Sequence, residues 1–305
     1  MAKKINKAGN KFNLSIKHFG RCVDDLTNMR ANFRVSNDGS SSMVEWGDTK
    51  WRFVDYGNVQ GKGFHICKYV RDDAKKFIDK INSGELPKLD KVENCDLEIQ
   101  KGNMAGLLKH RGNQIYCVDV NDCYWDTLYK MGVTTSDTYL RGLKNKDWKT
   151  GRNASVGALS KITVVTEYLN GVRGKSEVID ADENMALIRS NVVYRVHNMF
   201  LSLLRTMGDD WIMYFTDCVY VPLNKVGVVM DYFKALGYGT KMSTYELDTV
   251  DEKTGKVLWH DYQKNRAKHF QFSPRQLTLN RANFVEGLVL SANKLKENNA
   301  FLNEK

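Results

Sequence analysis

Short apolar runs alternate with turn residues over positions 31 to 70 of the chain. The runs NFRVS, SMVEW, KWRFVDY and GFHICKYV are separated by Gly, Asn and Asp, a pattern typical of short antiparallel strands joined by turns. The next stretch, DDAKKFIDKINS at 72 to 83, has the spacing of an amphipathic helix with Asp at its start. We therefore expect a small α+β region that ends near residue 110.

Longer elements are predicted beyond that point. An apolar run at 114 to 120 predicts a strand, and positions 124 to 170 are expected to be mostly helical. Apolar residues at spacings of three and four predict a long helix over about 186 to 207, and Gly208 is a residue type that favours the end of a helix. Strands are then expected at WIMYFTD and CVYVPL, a helix at about 223 to 236, and a strand pair at MSTYELDTV and KVLWHDYQ.

This order of elements predicts the α+β fold class, with helices on one face of a mainly antiparallel sheet. We expect three segments along the chain: residues 1–110 as an α+β region of unknown role, 111–275 as the central layer, and 276–305 as a C-terminal segment. Within the last of these, FVEGLVLSANKLKE is expected to form one amphipathic helix.

Composition narrows the class of protein. The 46 Lys and Arg against 36 Asp and Glu give a net charge of +10, which favours polyanionic partners such as nucleic acid. The six cysteines contain no C-x-x-C pair, so that neither a zinc site nor a disulfide framework is indicated. The first residues, MAKKINKAGNK, are not followed by an apolar signal-peptide core, and no apolar run is long enough to span a bilayer. We expect an intracellular, cytoplasmic protein.

Two carboxylates stand in apolar surroundings near predicted strand ends. Asp119 closes the run IYCVD, and Asp217 interrupts the run IMYFTDCVYV. A buried, unpaired carboxylate is costly, so each needs a cation, a hydrogen-bonding partner or a metal. Carboxylates from neighbouring strands can hold a pair of Mg²⁺ ions, as in phosphoryl transfer. The simpler alternative is that each Asp caps a helix or lies in a turn.

The surroundings of these residues resemble family B DNA polymerases, especially the protein-primed branch. DVNDCYWD at 119 to 126 is similar to their motif A, KTGRNASVG at 149 to 157 to motif B, and YFTDCVYV at 214 to 221 to motif C. KHF at 268 to 270 is similar to the K-x-Y motif that follows. The four motifs occur in the order of the family, and the resemblance covers roughly residues 112 to 275.

The resemblance implies a polymerase-type palm over residues 111–275 with very short fingers, and a thumb remnant at 276–305. It implies that Asp119, Asp217 and the carbonyl of Val120 bind Mg²⁺ or Mn²⁺, and that Lys149 acts with the two Asp residues in catalysis. It further implies that the nucleotide is bound by Tyr124, Lys146, Lys149 and Asn153. It implies that DNA is bound by Lys268 and Phe270, and we add the basic residues Lys264 and Arg266 of the same segment to this DNA-binding set. Lys146, Lys149 and Asn153 are expected on one helix face, although Gly151 weakens that helix.

The chain departs from the family at informative positions. Phe215 replaces the first Asp of motif C, Cys218 its Ser, Val156 the Tyr of motif B and Phe270 the final Tyr of K-x-Y. No D-x-E exonuclease signature precedes the palm, so proofreading is not expected.

The leading hypothesis is a DNA polymerase or related nucleotidyltransferase that adds dNMP from dNTP to a 3′-hydroxyl. Its expected partners are a DNA primer-template or single-stranded DNA, dNTP and accessory replication proteins, in a phage or mobile element, with no membrane. Synthesis without template or primer is a rival within the same enzyme class. A catalytically inactive palm that binds nucleic acid or acts as a scaffold is the alternative from another class. Lys146, Lys149 and Arg152 would then be a solvated helix face.

Overall fold

The chain folds into two compact units, each assembled from separate parts of the sequence. The computed structural model describes residues 11–38, 41–92, 100–179, 182–261, 264–274 and 276–278. Unit 1 combines Met1–Lys91 with Leu128–Asn191, and unit 2 combines Val92–Thr127 with Val192–Lys305. Both contain helices and a mainly antiparallel sheet, which confirms the predicted α+β class. From the sequence we expected three contiguous segments, whereas each of the two units combines separate parts of the chain.

Unit 1 is built on one mixed sheet. Its strands are β1 (Lys11–Ser15), β2 (Phe33–Asn37), β3 (Ser41–Trp46), β4 (Thr49–Val54), β7 (Thr163–Leu169) and β8 (Val172–Ile179). They lie in the order β1-β4-β3-β2-β7-β8, with only β1 and β4 parallel among these strands. The predicted antiparallel strands before residue 55 are therefore confirmed. Helix α1 (Phe19–Asn28) packs its buried Leu26 against Phe33, Val44 and Phe53 of this sheet.

Two predictions for unit 1 are wrong. The run GFHICKYV is not a strand, because helix α3 (Ile66–Asn82) already starts within it, after the short helix α2 (Tyr56–Gly61). Buried Ile66, Val70, Ala74 and Phe77 recur at helical spacing on one side of α3, so the apolar face extends upstream of Asp72. Residues 163–169 were expected to be helical but form β7, whose β-branched residues pair with β2 and β8.

The helices of unit 1 are tied together by Asp73 of α3. Its Oδ2 accepts hydrogen bonds from the backbone N–H and the hydroxyl of Thr135, each 2.9 Å long. Thr135 is the N-cap of α6 (Ser136–Leu143), and its hydroxyl also accepts a bond from the Thr138 N–H. Burial would raise the pKa of Asp73, but the hydrogen bonds from Thr135 and Thr138 outweigh it and lower the pKa. The carboxylate is thus a structural part of the α3–α6 contact.

Unit 2 is built on a second sheet, which carries both candidate aspartates. Its central strands run in the order β12 (Lys256–Asp261), β11 (Thr240–Asp251), β6 (Gln114–Val120), β10 (Cys218–Val221) and β9 (Met213–Phe215). Next to β12 lies β13 (Arg266–Gln271), and beyond β9 lie β5 (Gln100–Asn103) and β14 (Leu277–Thr278). Neighbours are antiparallel except β5 and β14, and the predicted strands at 114–120 and 240–261 are confirmed.

The two longest helices of unit 2 cover one face of this sheet. Helix α8 (Glu183–Met207) matches the predicted long helix, and Gly208 follows it with φ of 60°. Its part within unit 2 packs with α9 (Leu223–Ala235) against the sheet residues Val118, Val120, Val219 and Val221.

His197 of α8 is buried, which lowers its pKa to about 4 and leaves it neutral at pH 7. The start of α5 (Cys123–Lys130) also belongs to unit 2, as does the short helix α4 (Met104–Lys109), whose buried Met104 and Leu107 pack in the core on the opposite face of the sheet.

The opposite face of the same sheet carries a second core rich in aromatic rings. It contains the buried Tyr220, Tyr245, Trp259 and Phe272, with Phe215 and Phe270 packed at its edge. Every second residue of a strand lies on the same face, so Asp119 shares a face of β6 with Ile115 and Cys117, which belong to this core. Asp119 therefore lies away from α8 and α9. The predicted thumb helix lies within 279–305, outside the described residues.

Candidate active site

The two aspartates singled out in the sequence lie on a strand and in the turn that precedes its neighbouring strand. Antiparallel pairing of β6 with β10 places Asp119 directly opposite Cys218, the residue that follows Asp217. The N–H of Val120 donates to the carbonyl oxygen of Asp217 at 2.9 Å. Asp217 itself lies in the two-residue turn between β9 and β10, since Phe215 and Cys218 are directly paired. The apolar run around Asp217 is therefore two strands with the charge at the turn between them.

This turn is held in an unusual backbone conformation. Thr216 has φ of 45°, in the left-handed region that β-branched residues rarely adopt. Its hydroxyl donates to Asp217 Oδ1 at 3.0 Å. Its carbonyl oxygen accepts hydrogen bonds from the hydroxyls of Tyr214 at 3.2 Å and Tyr124 at 3.4 Å. These contacts hold the turn that carries Asp217, and the Thr216 hydroxyl contacts its carboxylate directly.

Tyr124 lies at the start of α5 and is half-buried against the helix-covered core. Its hydrogen bond to Thr216 places it beside the turn that carries Asp217. Nucleotide binding, which the resemblance implies for this residue, stays a prediction. Val120 is buried, and its proposed carbonyl ligand also stays a prediction.

A lysine that the sequence reading missed contacts Asp119. Lys241 of β11 is the direct cross-strand partner of Asp119, and its Nζ lies 3.0 Å from Asp119 Oδ1. The side chain of Lys241 is 48% exposed and that of Asp119 29% exposed. Lys241 carries no motif signal, and only the β6–β11 register, which joins residues more than a hundred positions apart, could have indicated it.

Cys218 lies among these charges and the neighbouring Cys117. A hydrogen bond with Cys117, burial and the nearby charges of Asp217 and Asp119 raise its pKa well above the ordinary value. The thiol therefore stays protonated at neutral pH. Both carboxylates act on the same side chain, which is consistent with their juxtaposition at this end of the sheet.

Phe215 stands where the resemblance would place the first aspartate of motif C. Its ring makes an edge contact with Phe270, with centroids 4.9 Å apart, and lies 5.7 Å from Trp259 and 5.5 Å from Phe272. An aspartate in this place would bury a carboxylate among aromatic rings. Phe215 is therefore packed against the core of unit 2, and Phe270 contacts its ring.

Lys268 lies on the same face of the sheet, on β13. Its ammonium donates to the hydroxyl of Tyr245 at 3.1 Å, lies 4.6 Å from the centre of that ring, and is 3.9 Å from Oδ2 of the buried Asp261. The charge of Lys268 thus compensates that of Asp261 within the core. Lys264 and Arg266 are exposed in the hairpin between β12 and β13. Contacts of Lys264, Arg266 and Lys268 with DNA stay predictions.

The motif B-like residues belong to unit 1. Lys149 begins α7 (Lys149–Gly157), whereas Lys146 lies in a separate 3-10 turn (Lys146–Trp148); both are exposed, as is Asn153. The single helix face expected for them is therefore interrupted before Lys149. Gly151 is required because a Cβ there would lie 2.2 Å from the carbonyl oxygen of Gly63.

Arg152 does not belong to a solvated face. It is buried, and its Nη1 donates to the carbonyl oxygens of Gly142 at 2.8 Å and Asn145 at 3.3 Å. The guanidinium thus holds the segment before α7 in place. The roles of Lys146, Lys149 and Asn153 in nucleotide binding stay predictions.

The carboxylates of Asp119 and Asp217 are ligands that suit a hard divalent cation. In the described part of the chain no three His, Cys, Asp or Glu side chains cluster as metal ligands. Mg²⁺ needs fewer, because it binds through one or two carboxylates together with water and substrate phosphates. Asp119 and Asp217 provide that number of carboxylates, whereas structural zinc is typically held by Cys and His ligands.

Comparison with models of known protein families and with curated proteins finds no match for this chain. Among the described residues, no helix has the length and apolar character needed to cross a membrane.

Proposed function

We propose that unit 2 carries a metal-dependent nucleotidyl-transfer site that adds dNMP from dNTP to the 3′-hydroxyl of DNA, without proofreading. The observation that carries the proposal is that Asp119 of β6 lies next to the β9–β10 turn that holds Asp217, at one end of the sheet. The order of the motifs along the sequence supports the assignment to DNA synthesis.

The residues of unit 2 have distinct roles in this proposal. Asp119 and Asp217 offer carboxylate oxygens to Mg²⁺ or Mn²⁺, which when bound stabilises the attacking and leaving oxygens of the transfer. Thr216 orients Asp217 through its hydroxyl, and Tyr124 supports the turn through the Thr216 carbonyl. Lys149 is assigned to the triphosphate on its motif alone.

Primer extension with Mg²⁺ or Mn²⁺ tests the proposal. Wild-type protein is expected to extend a labelled primer on a template, and Asp119→Asn and Asp217→Asn are each expected to lower the rate about 100-fold or more, since each removes a metal ligand. Asp231→Asn, an equivalent change at an exposed position of α9, is the matched control and should behave as wild type. Equal rates in wild type and both site variants would reject the proposal.

A catalytically silent nucleic-acid-binding protein is the second candidate. The observation that favours it is Phe215, which removes one motif C carboxylate and is built into the aromatic core. DNA binding that is unaffected by EDTA, without incorporation of dNTP under any metal condition, would select this candidate. Products formed without template or without primer would instead identify the rival mode of synthesis.

A further inference from the structure

Lys241 makes an ion pair with one of the two carboxylates that the proposed function needs. On the central strand β6, Asp119 has Lys241 of β11 on one side and the Asp217–Cys218 segment on the other. The Lys241 ammonium lies 3.0 Å from Asp119 Oδ1, within reach of a charge-assisted hydrogen bond. The pair is partly exposed, so neither side chain is locked in place by burial.

A divalent cation and a lysine ammonium compete for the same carboxylate oxygen. Without metal, Lys241 compensates one of the two negative charges of Asp119 and Asp217. A bound dication would neutralise the two carboxylates and would repel a nearby ammonium. The flexible four-carbon stem of lysine allows the ammonium to move to another anion.

We infer that Lys241 holds Asp119 when no metal is bound, and that metal binding releases its ammonium to bind the phosphates of the incoming nucleotide. The inference rests on the proposed function of the Asp119–Asp217 site. Lys268, the other lysine of this sheet face discussed above, is directed to Tyr245 and Asp261. The ammonium of Lys241, by contrast, contacts the candidate metal ligand Asp119.

The first test measures metal binding by itself. Binding of Mn²⁺ to the full chain, without DNA or nucleotide, is followed by the EPR signal of free Mn²⁺ in wild type, Lys241→Met and Lys225→Met. Lys241→Met removes the competing cation but keeps the length of the side chain, so Mn²⁺ should bind about fivefold more tightly. Lys225→Met breaks a comparable ion pair, with Asp210 at 2.7 Å in the same unit, and should leave the dissociation constant for Mn²⁺ unchanged.

The second test measures nucleotide binding at saturating Mn²⁺. Isothermal titration with dATP, in the absence of primer, should show about fivefold weaker binding to Lys241→Met than to wild type, because one cation near the phosphates is lost. Lys241→Arg keeps the charge and should stay near wild type in both tests. A purely structural role for Lys241 would weaken both ligands together, so opposite changes for metal and nucleotide are the distinguishing result.

The outcomes separate this inference from the proposed function. Unchanged or weaker Mn²⁺ binding by a Lys241→Met protein that melts cooperatively rejects the role of Lys241; if that variant does not fold, Lys241→Gln takes its place. When Asp119→Asn loses Mn²⁺ binding but Lys241→Met behaves as wild type, only the role of Lys241 falls. If Asp119→Asn binds Mn²⁺ as wild type does, the metal site itself is rejected, and the role of Lys241 with it.

Discussion

Thr216 is the residue at which backbone strain and the candidate chemistry coincide. A β-branched residue in the left-handed region is destabilising by about 1–3 kcal/mol and persists only where its surroundings impose it. Here the two tyrosine hydroxyls on its carbonyl and its own hydrogen bond to Asp217 impose it. Glycine would adopt the same φ without strain, but it would not offer a hydroxyl to Asp217.

We therefore predict opposite effects of Thr216→Gly on stability and activity. The free energy of unfolding should stay unchanged or rise by up to about 1 kcal/mol, because relief of strain offsets the lost hydrogen bond. Primer extension should fall severalfold, because Asp217 is less well positioned. Urea denaturation and extension rates measure the two quantities. Asn170→Gly, at φ of 51° in the β7–β8 turn, is the control that should leave extension unaffected. Undiminished extension by Thr216→Gly would contradict a positioning role.

At this scale the sequence indicates some site residues and not others. Asp119 and Asp217 can be found because each is a charge within an apolar run, and such charges are costly without a partner. Lys241 cannot be found from the sequence, because a lysine on a half-exposed strand is ordinary. Its proximity to Asp119 depends on the register of the two strands. Arg152 looks like one more basic helix residue, and only the structure shows that it is buried.

At the scale of elements, periodicity predicts what lies on a single continuous face. Helices α8 and α9 and strands β11 and β12 were predicted close to their observed bounds, since each has a regular apolar stripe. The start of α3 was missed because aromatic and β-branched residues in GFHICKYV favour a strand locally, and the helical spacing becomes clear only when the later residues are included. The β7–β8 hairpin was missed although its turn, Asn170–Gly171, is a strong hairpin signal.

The contact between α3 and α6 gives a prediction for unit 1. Asp73→Ala leaves the Thr135 N–H without its carboxylate acceptor and should lower the free energy of unfolding by roughly 1–3 kcal/mol at pH 7. Because folding lowers the pKa of Asp73, this stabilisation is present above the unfolded pKa of about 4 and is lost as the pH falls through the folded value. The difference between variant and wild type should therefore shrink below about pH 4.

Chemical denaturation at several pH values measures this difference. The adjacent and exposed Asp72 provides the matched control, and Asp72→Ala should stay close to wild type at every pH. A stability loss of equal size in both variants would show that the Asp73–Thr135 bonds are not its cause.

At the scale of the whole molecule, the discontinuity of the two units is what the sequence hides. β2 pairs with β7 although more than a hundred residues separate them, and β5 joins a sheet whose other strands include β9 and β14. No local pattern specifies such pairing, because the hydrophobic period and the turn type constrain only residues that are close in sequence. A reading along the chain therefore yields contiguous segments, whereas the folded units interleave them.

The net charge of +10 favours a polyanion, but charge alone does not say which surface binds it. If the face of unit 2 that carries Asp119 binds DNA, the exposed Lys264 and Arg266 of the β12–β13 hairpin should each displace a counterion from the phosphate backbone. Affinity for a primer-template, measured by fluorescence anisotropy at several NaCl concentrations, should then fall linearly on a double-logarithmic scale. Lys264→Gln/Arg266→Gln should reduce the magnitude of the slope by about 2.

A second double variant removes the same charge from another surface. Arg205 of α8 and Lys234 of α9 are exposed on the helices that cover the opposite face of the sheet. Because Arg205→Gln/Lys234→Gln lowers the net charge equally, a slope near that of wild type in this variant, together with the reduced slope in the hairpin variant, would locate the DNA on the Asp119 face. Equal slopes in both variants would mean that binding depends on overall charge and that the hairpin has no specific part in it.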